Sequence, residues 1–140
     1  MAFLTIGKDP KGAKQRLYLM EITLPSGMKV VKCGKASGES SKARMLQICA
    51  SIYDKFRTTP MIKIKRDKEV PTDLVFKYET NVHRFFKDYH YHTKTKFDGS
   101  GECFTVPVDD MVAAYEAVIE GNEPDFTYVM PEVGEDNVPF

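Results

Sequence analysis

The chain has 140 residues and a mass of 15.9 kDa, with 42% hydrophobic and 29% charged residues. That is the composition of one folded domain with its own core and little room for a second. No stretch free of charge is long enough to span a bilayer, and the N-terminus lacks the basic start, apolar core and cleavage site of a secretory signal. Three cysteines with no close pair suggest neither a disulfide framework nor a zinc knuckle, so a reducing, cytoplasmic setting is expected.

Basic and acidic residues balance at 20 each, but not along the chain. Every Lys and Arg lies at or before Lys96, while Glu120, Glu123, Asp125, Glu132, Glu135 and Asp136 crowd the last 21 residues. Residues 1–119 therefore carry twenty cations against fourteen acids, a net +6, and residues 120–140 carry −6. A basic body suits a polyanionic partner as well as it suits plain solubility. An acidic end either solvates the terminus or folds over the basic surface and competes with nucleic acid.

In chain order, residues 1–15 are expected to be irregular. Arg16–Leu24 reads as a strand, Pro25-Ser26-Gly27 as a turn and Met28–Cys33 as the returning strand of a hairpin. Gly34–Ser41 is expected to be a loop. Ser40 or Ser41 is placed to cap a helix running to about Phe56, with Ala43, Leu46, Ala50 and Tyr53 as its apolar stripe, widened by Met45, Cys49 and Ile52. Met61–Lys65 alternates as a third strand. A helix opens at Pro71-Thr72-Asp73 and runs to about Tyr89, with Leu74, Val75, Tyr78, Val82, Phe85 and Phe86 on the 3.6-residue period. His90–Gly101 is expected to be a mobile loop and Cys103–Val106 a short strand. Asp109 is expected to cap a last helix ending at Gly121. The order β-β-α-β-α-β-α predicts an α+β domain: a small antiparallel or mixed sheet flanked by helices.

Several groups could carry chemistry. Tyr18, Lys32 and Arg44 come from the hairpin and the following helix, and Gly34 permits close approach of a ligand. A phenol, an ammonium and a guanidinium on one surface could hold a phosphate, though from spacing alone a core tyrosine and two solvated cations are the more ordinary reading. Glu79 and His83 share a helix face, either as a half-buried oxygen ligand for a divalent cation or as a surface pair. His83, His90 and His92 lack companions at zinc-ligand spacing. In Gly101-Glu102-Cys103-Phe104, Glu102 could reach the site, and Phe104 reads as core. Cys33, Cys49 and Cys103 read as small apolar fillers.

Taken together, these pieces resemble the GIY-YIG nuclease superfamily, in particular its compact phage and bacterial branch. Leu17-Tyr18-Leu19 stands where the family has Gly-Ile-Tyr, and Val31-Lys32-Cys33-Gly34-Lys35 resembles its second motif. Arg44 falls where the family keeps an arginine on its first helix. Phe76-Lys77-Tyr78-Glu79-Thr80-Asn81-Val82-His83 resembles its Glu-bearing helix, and Gly101-Glu102-Cys103-Phe104 its Gly-Glu-x-Phe segment. The resemblance spans roughly 16–120, between the irregular segment 1–15 and an acidic tail, 121–140, that is not part of the pattern. Arg16 replaces the first motif's glycine and Lys32 the second motif's tyrosine.

The resemblance implies metal-dependent hydrolysis of nucleic-acid phosphodiester bonds, with DNA the expected substrate and nothing in the residues that sets RNA apart from it. Glu79 would hold one Mg²⁺ or Mn²⁺. Tyr18 would orient or deprotonate water, its pKa lowered by Lys32. Arg44 would stabilise charge on the phosphorane. His83 would steady Glu79 or contact a phosphate, and Glu102 would stand behind these groups as a second-layer partner. Lys35, Lys42, Lys63, Lys65, Arg84 and Lys87 would track the nucleic-acid backbone. A specificity partner or homo-oligomer would supply selectivity. The alternatives are a non-catalytic nucleic-acid-binding module or a protein-interaction protein.

Overall fold

The computed structural model describes residues 14–122. The expectations for an irregular start and for an acidic tail fall almost entirely outside the described residues.

The elements are β1 (Gln15–Thr23), β2 (Lys29–Ser37), α1 (Lys42–Phe56), β3 (Met61–Val70), α2 (Val75–Phe85), β4 (Cys103–Phe104) and α3 (Val108–Ile119). Single 3-10 turns lie at Lys87–Tyr89 and Ser100–Glu102. The domain is α+β, with one antiparallel sheet in the order β3-β1-β2-β4. No described helix is long and apolar enough to cross a membrane.

β1 is central, and helices cover the sheet on both faces. This is why Leu17-Tyr18-Leu19-Met20 is continuously apolar rather than alternating. Leu17 and Leu19, with Val31 and Cys33 of β2, pack against Val82 and Phe86 and against Met111 and Tyr115 of α3. Tyr18, Met20 and Val30 face the other way, onto Ile48 and Ile52 of α1 and onto Phe97. The hairpin turn closes with Leu24 N–H donating to Met28 O at 2.8 Å, and Gly27 takes φ +93, a conformation glycine adopts without penalty.

Four expectations are corrected by tertiary pairing. β2 does not stop at Cys33: Gly34, Lys35, Ala36 and Ser37 stay in the ladder opposite Tyr18, Leu17, Arg16 and Gln15, so Tyr18 and Lys32 lie in mid-ladder rather than at its open end. β3 does not end at Lys65 but runs to Val70, because the charged stretch Arg66–Glu69 pairs with Leu19–Arg16. A one-residue bulge at Lys65 keeps that register. The loop after His90 is not structureless: Phe97 is buried in the core beneath α1. On α1 the expected stripe is centred on the wrong face, and of its members only Met45 and Ile52, from its widened edge, pack on the sheet. Ala43, Leu46, Ala50 and Tyr53 are exposed, Leu46 at 62% and Tyr53 at 48%, while Met45, Ile48, Ile52 and Phe56 face the sheet. Both faces of α1 carry apolar residues at helical spacing, and only packing chooses between them.

The helix starts also differ from expectation. Ser41 precedes α1 but makes no side-chain cap; its Oγ and its N–H donate to Asp67 of β3, at 2.9 and 2.8 Å. Arg16 Nε donates to the same carboxylate at 2.6 Å. Burial alone would raise the Asp67 pKa, but these donors hold it below the ordinary carboxylate range. Asp67 thus ties the start of α1 to β1 and β3. Asp109 lies inside the first turn of α3 rather than at its cap, which Pro107 occupies. Gly121, at φ +85, follows the end of that helix as expected.

Candidate functional site

Tyr18 of β1 and Lys32 of β2 lie diagonally across the ladder on the α1 side of the sheet. Both are fully buried. Lys32 Nζ donates to the Tyr18 phenol oxygen at 2.6 Å and to Glu102 Oε1 at 2.5 Å. Gly34, directly opposite Tyr18, is what lets these groups meet: a Cβ there would lie 2.4 Å from the phenol oxygen and 2.7 Å from Lys32 Nζ. Arg44, near the start of α1, lies close enough to the same phenol for its charge to lower the Tyr18 pKa. Its guanidinium also forks onto Asp98, with Nη1 at 2.7 Å and Nη2 at 3.3 Å from the two carboxylate oxygens.

Burial raises the Tyr18 pKa more than Lys32 and Arg44 lower it, so the phenol stays protonated at neutral pH. Lys32 does pull the Tyr18 pKa down, as expected, but burial outweighs it. Burial works against the Lys32 charge, yet its Tyr18 and Glu102 contacts more than offset this and keep the ammonium above the ordinary lysine range. Glu102, though partly desolvated, is held below the ordinary carboxylate range by Lys32. It reaches the cluster through Lys32, the position expected of a second-layer partner.

Glu79 arrives from the opposite layer. β4 pairs with β2 only at Val31 and Lys32. Past that point the outer edge of β2 has no strand partner among the described residues, and α2 packs alongside. His83 Nε2 donates to Cys33 O on this edge at 2.6 Å, and its ring packs on Phe104 with centroids 5.3 Å apart. Glu79, one turn earlier, is only 6% exposed, and its Oε2 has no hydrogen-bond partner. Burial raises its pKa first, and Glu102 raises it further; His83, Lys35 and Lys32 pull it down without cancelling the rise. Glu79 is thus electrostatically joined to the Lys32–Glu102 end of the cluster.

A buried carboxyl with one orphaned oxygen fits either a proton or a cation. Among the described residues no three His, Cys, Asp or Glu side chains form a ready metal cage. An ion here would take Glu79 as its protein ligand and fill its other positions with water or substrate oxygens. The raised pKa has a stability consequence. The folded chain keeps this proton where the unfolded chain, at the ordinary value of 4.5, has lost it. Stability therefore falls as pH rises from 4.5 through the raised value. Glu79→Gln removes that slope. In chelator at pH 8 the variant is expected to be the more stable by about 1 kcal/mol, the cost of an unsatisfied buried polar group. The difference should vanish below pH 4.5, as thermal melts at both pH values would read.

The six cations expected to track a backbone are spread over several elements. Lys35 is exposed on β2 and, with Ser37, Ser40, Arg44 and Gln47, lines an open cleft of about 400 Å³ beside the start of α1. Lys42 begins α1. Lys63 and Lys65 ride β3, the far edge of the sheet. Arg84 on α2 bonds Asn81, and Lys87 lies in the following 3-10 turn. His90 donates to Gly101 O at 2.6 Å and meets the His92 ring edge-on.

Asp98 and Gly99 were not anticipated as parts of the site. Gly99, at φ +88, lies directly on Lys32, where a Cβ would come within 2.4 Å of Cε. Phe97-Asp98-Gly99 is readable in sequence as an aromatic followed by a turn, but what the turn covers is not. Compared with known proteins, the chain matches no family model, no curated protein and no solved structure.

Proposed function

We propose that this chain is a metal-dependent endonuclease that hydrolyses DNA phosphodiester bonds. The observation that carries the reading is the meeting of Tyr18 and Lys32 around Gly34, with the Arg44 charge felt by the same phenol and the orphaned Glu79 Oε2 at the adjoining strand edge. Arg44 supplies a two-toothed donor for phosphate oxygens and stabilises the charge that builds on the reacting phosphorus. Lys32 adds a fixed positive charge in a dry setting, where charge acts strongly. The protonated Tyr18 phenol orients water by donating to it, a role that needs no phenolate. Glu79 would hold a Mg²⁺ or Mn²⁺ ion, which supplies charge neutralisation at the leaving oxygen. His83 fixes the position of α2 beside Cys33 and biases Glu79 toward its charged form. Lys35 and Arg44 on the open cleft give the backbone an entry path.

One observation favours a second reading. Tyr18 and Lys32 have no exposed surface, and the Lys32 and Arg44 cations are already paired with carboxylates of the same chain. A binding module that keeps the fold without cutting needs no more than this. The deciding assay is supercoiled plasmid incubated with the protein in chelator, Mg²⁺ and Mn²⁺. The nuclease reading expects nicked circles only with metal. Salt-sensitive retardation with no nicks in either metal would sink it in favour of the binding module.

A further inference from the structure

Segment 97–102 lies across the site and brings two acids to it. Asp98 takes the Arg44 guanidinium with both carboxylate oxygens, the arrangement a phosphate adopts on the same fork. Four residues on, Glu102 takes Lys32. Between them Gly99 rests on the Lys32 stem, so no substrate atom can reach Tyr18 or Lys32 while the segment is in place.

The segment is anchored at Phe97 and Ser100, both buried, and its other ties are few. Asp98 N–H donates to Ser51 Oγ at 2.8 Å, Phe97 meets Phe56 edge-on at 6.4 Å, and His90 holds Gly101 O. Gly99 and Gly101 flank Ser100, and Gly101 has open space around it. The Asp98 side chain is half exposed, so its ion pair is readily exchanged for another. Arg44 lines both this closed site and the open cleft shared with Lys35. A phosphate entering by the cleft therefore meets Arg44 first.

Resting on the nuclease reading, we propose that Asp98 occupies the place of a substrate backbone phosphate on Arg44. Residues 98–102, anchored by the buried Phe97, are then a strap whose half-exposed Asp98 nucleic acid must displace from Arg44 on the way to Tyr18. Asp98 acts as a specificity-determining residue: only a polyanion strong enough to take Arg44 from it opens the site.

The test is fluorescence anisotropy of a labelled oligonucleotide in chelator, using the full chain as wild type, Asp98→Asn, Arg44→Gln and the double variant. Asp98→Asn is expected to tighten binding about two- to fivefold, the range for a partly exposed ion pair, and to do so only where Arg44 is present. Asp98→Glu, which keeps the charge, should tighten binding less than Asp98→Asn does. Unchanged or weaker binding by Asp98→Asn overturns the proposal. So does equal tightening with and without Arg44, which would report net charge alone. If Asp98→Asn melts abnormally, Asp98→Ser takes its place in the cycle. The outcomes separate the two ideas. Arg44-dependent tightening without nicking in Mn²⁺ keeps the strap and removes the nuclease; nicking without that coupling does the reverse.

Discussion

Arg44→Ala is expected to slow metal-dependent nicking by about 10²–10³-fold, the usual loss when one donor to a developing oxyanion is removed. The same change should cost no more than about 1 kcal/mol of stability, because the Arg44–Asp98 pair is partly exposed and solvent screens it. That split is the informative part. Urea melts and nicking rates on the same preparations would show whether rate falls far out of proportion to stability. A rate loss that merely tracks unfolding would return Arg44 to a structural role. Arg44→Lys should recover little of the rate. An ammonium keeps the charge but lacks the planar fork that now serves Asp98 and, in this proposal, a phosphate.

Gly34→Ala is expected to destabilise the fold by about 1–3 kcal/mol and to abolish whatever chemistry the cluster performs. The added methyl would lie 2.4 Å from the Tyr18 oxygen and 2.7 Å from Lys32 Nζ. Neither group yields cheaply. Tyr18 is a rigid ring enclosed on all sides, and Lys32 is tethered at once to the phenol and to Glu102. Gly101→Ala is the matched control. Nothing lies within 4 Å of its added Cβ, and its effect should stay within about 0.5 kcal/mol. Comparable urea midpoints for the two variants would show that Gly34 has no special part in bringing phenol and ammonium together.

The local readings and their limits separate cleanly along the chain. The hairpin was legible because Pro25-Ser26-Gly27 interrupts two apolar runs, and the structure turns there. α2 was legible because Val75, Val82 and Phe86 repeat on one face and stay buried. Its end was not: α2 stops at Phe85, and the last turn tightens to 3-10 at Lys87–Tyr89. The charged half of β3 was illegible for a different reason. Arg66, Asp67 and Lys68 look like loop by composition, but partners on other elements (Glu116 on α3, and Arg16 and Ser41) hold them as strand.

The site divides in the same way. Tyr18, Lys32, Gly34, Arg44 and Glu79 stood out as residue types able to act on a phosphate, and the α+β order β-β-α-β-α-β-α followed from local periodicity and turn chemistry. These are properties of neighbours a few residues apart, so the amino-acid sequence by itself determined them. Tertiary structure alone decided which face of α1 is buried, that Glu79 is left with an orphaned oxygen, and that Asp98 and Glu102 close over Arg44 and Lys32. Those contacts join residues 54 and 70 positions apart. Their geometry depends on how two helical layers and a two-residue edge strand pack around β1, and no spacing along the chain encodes that.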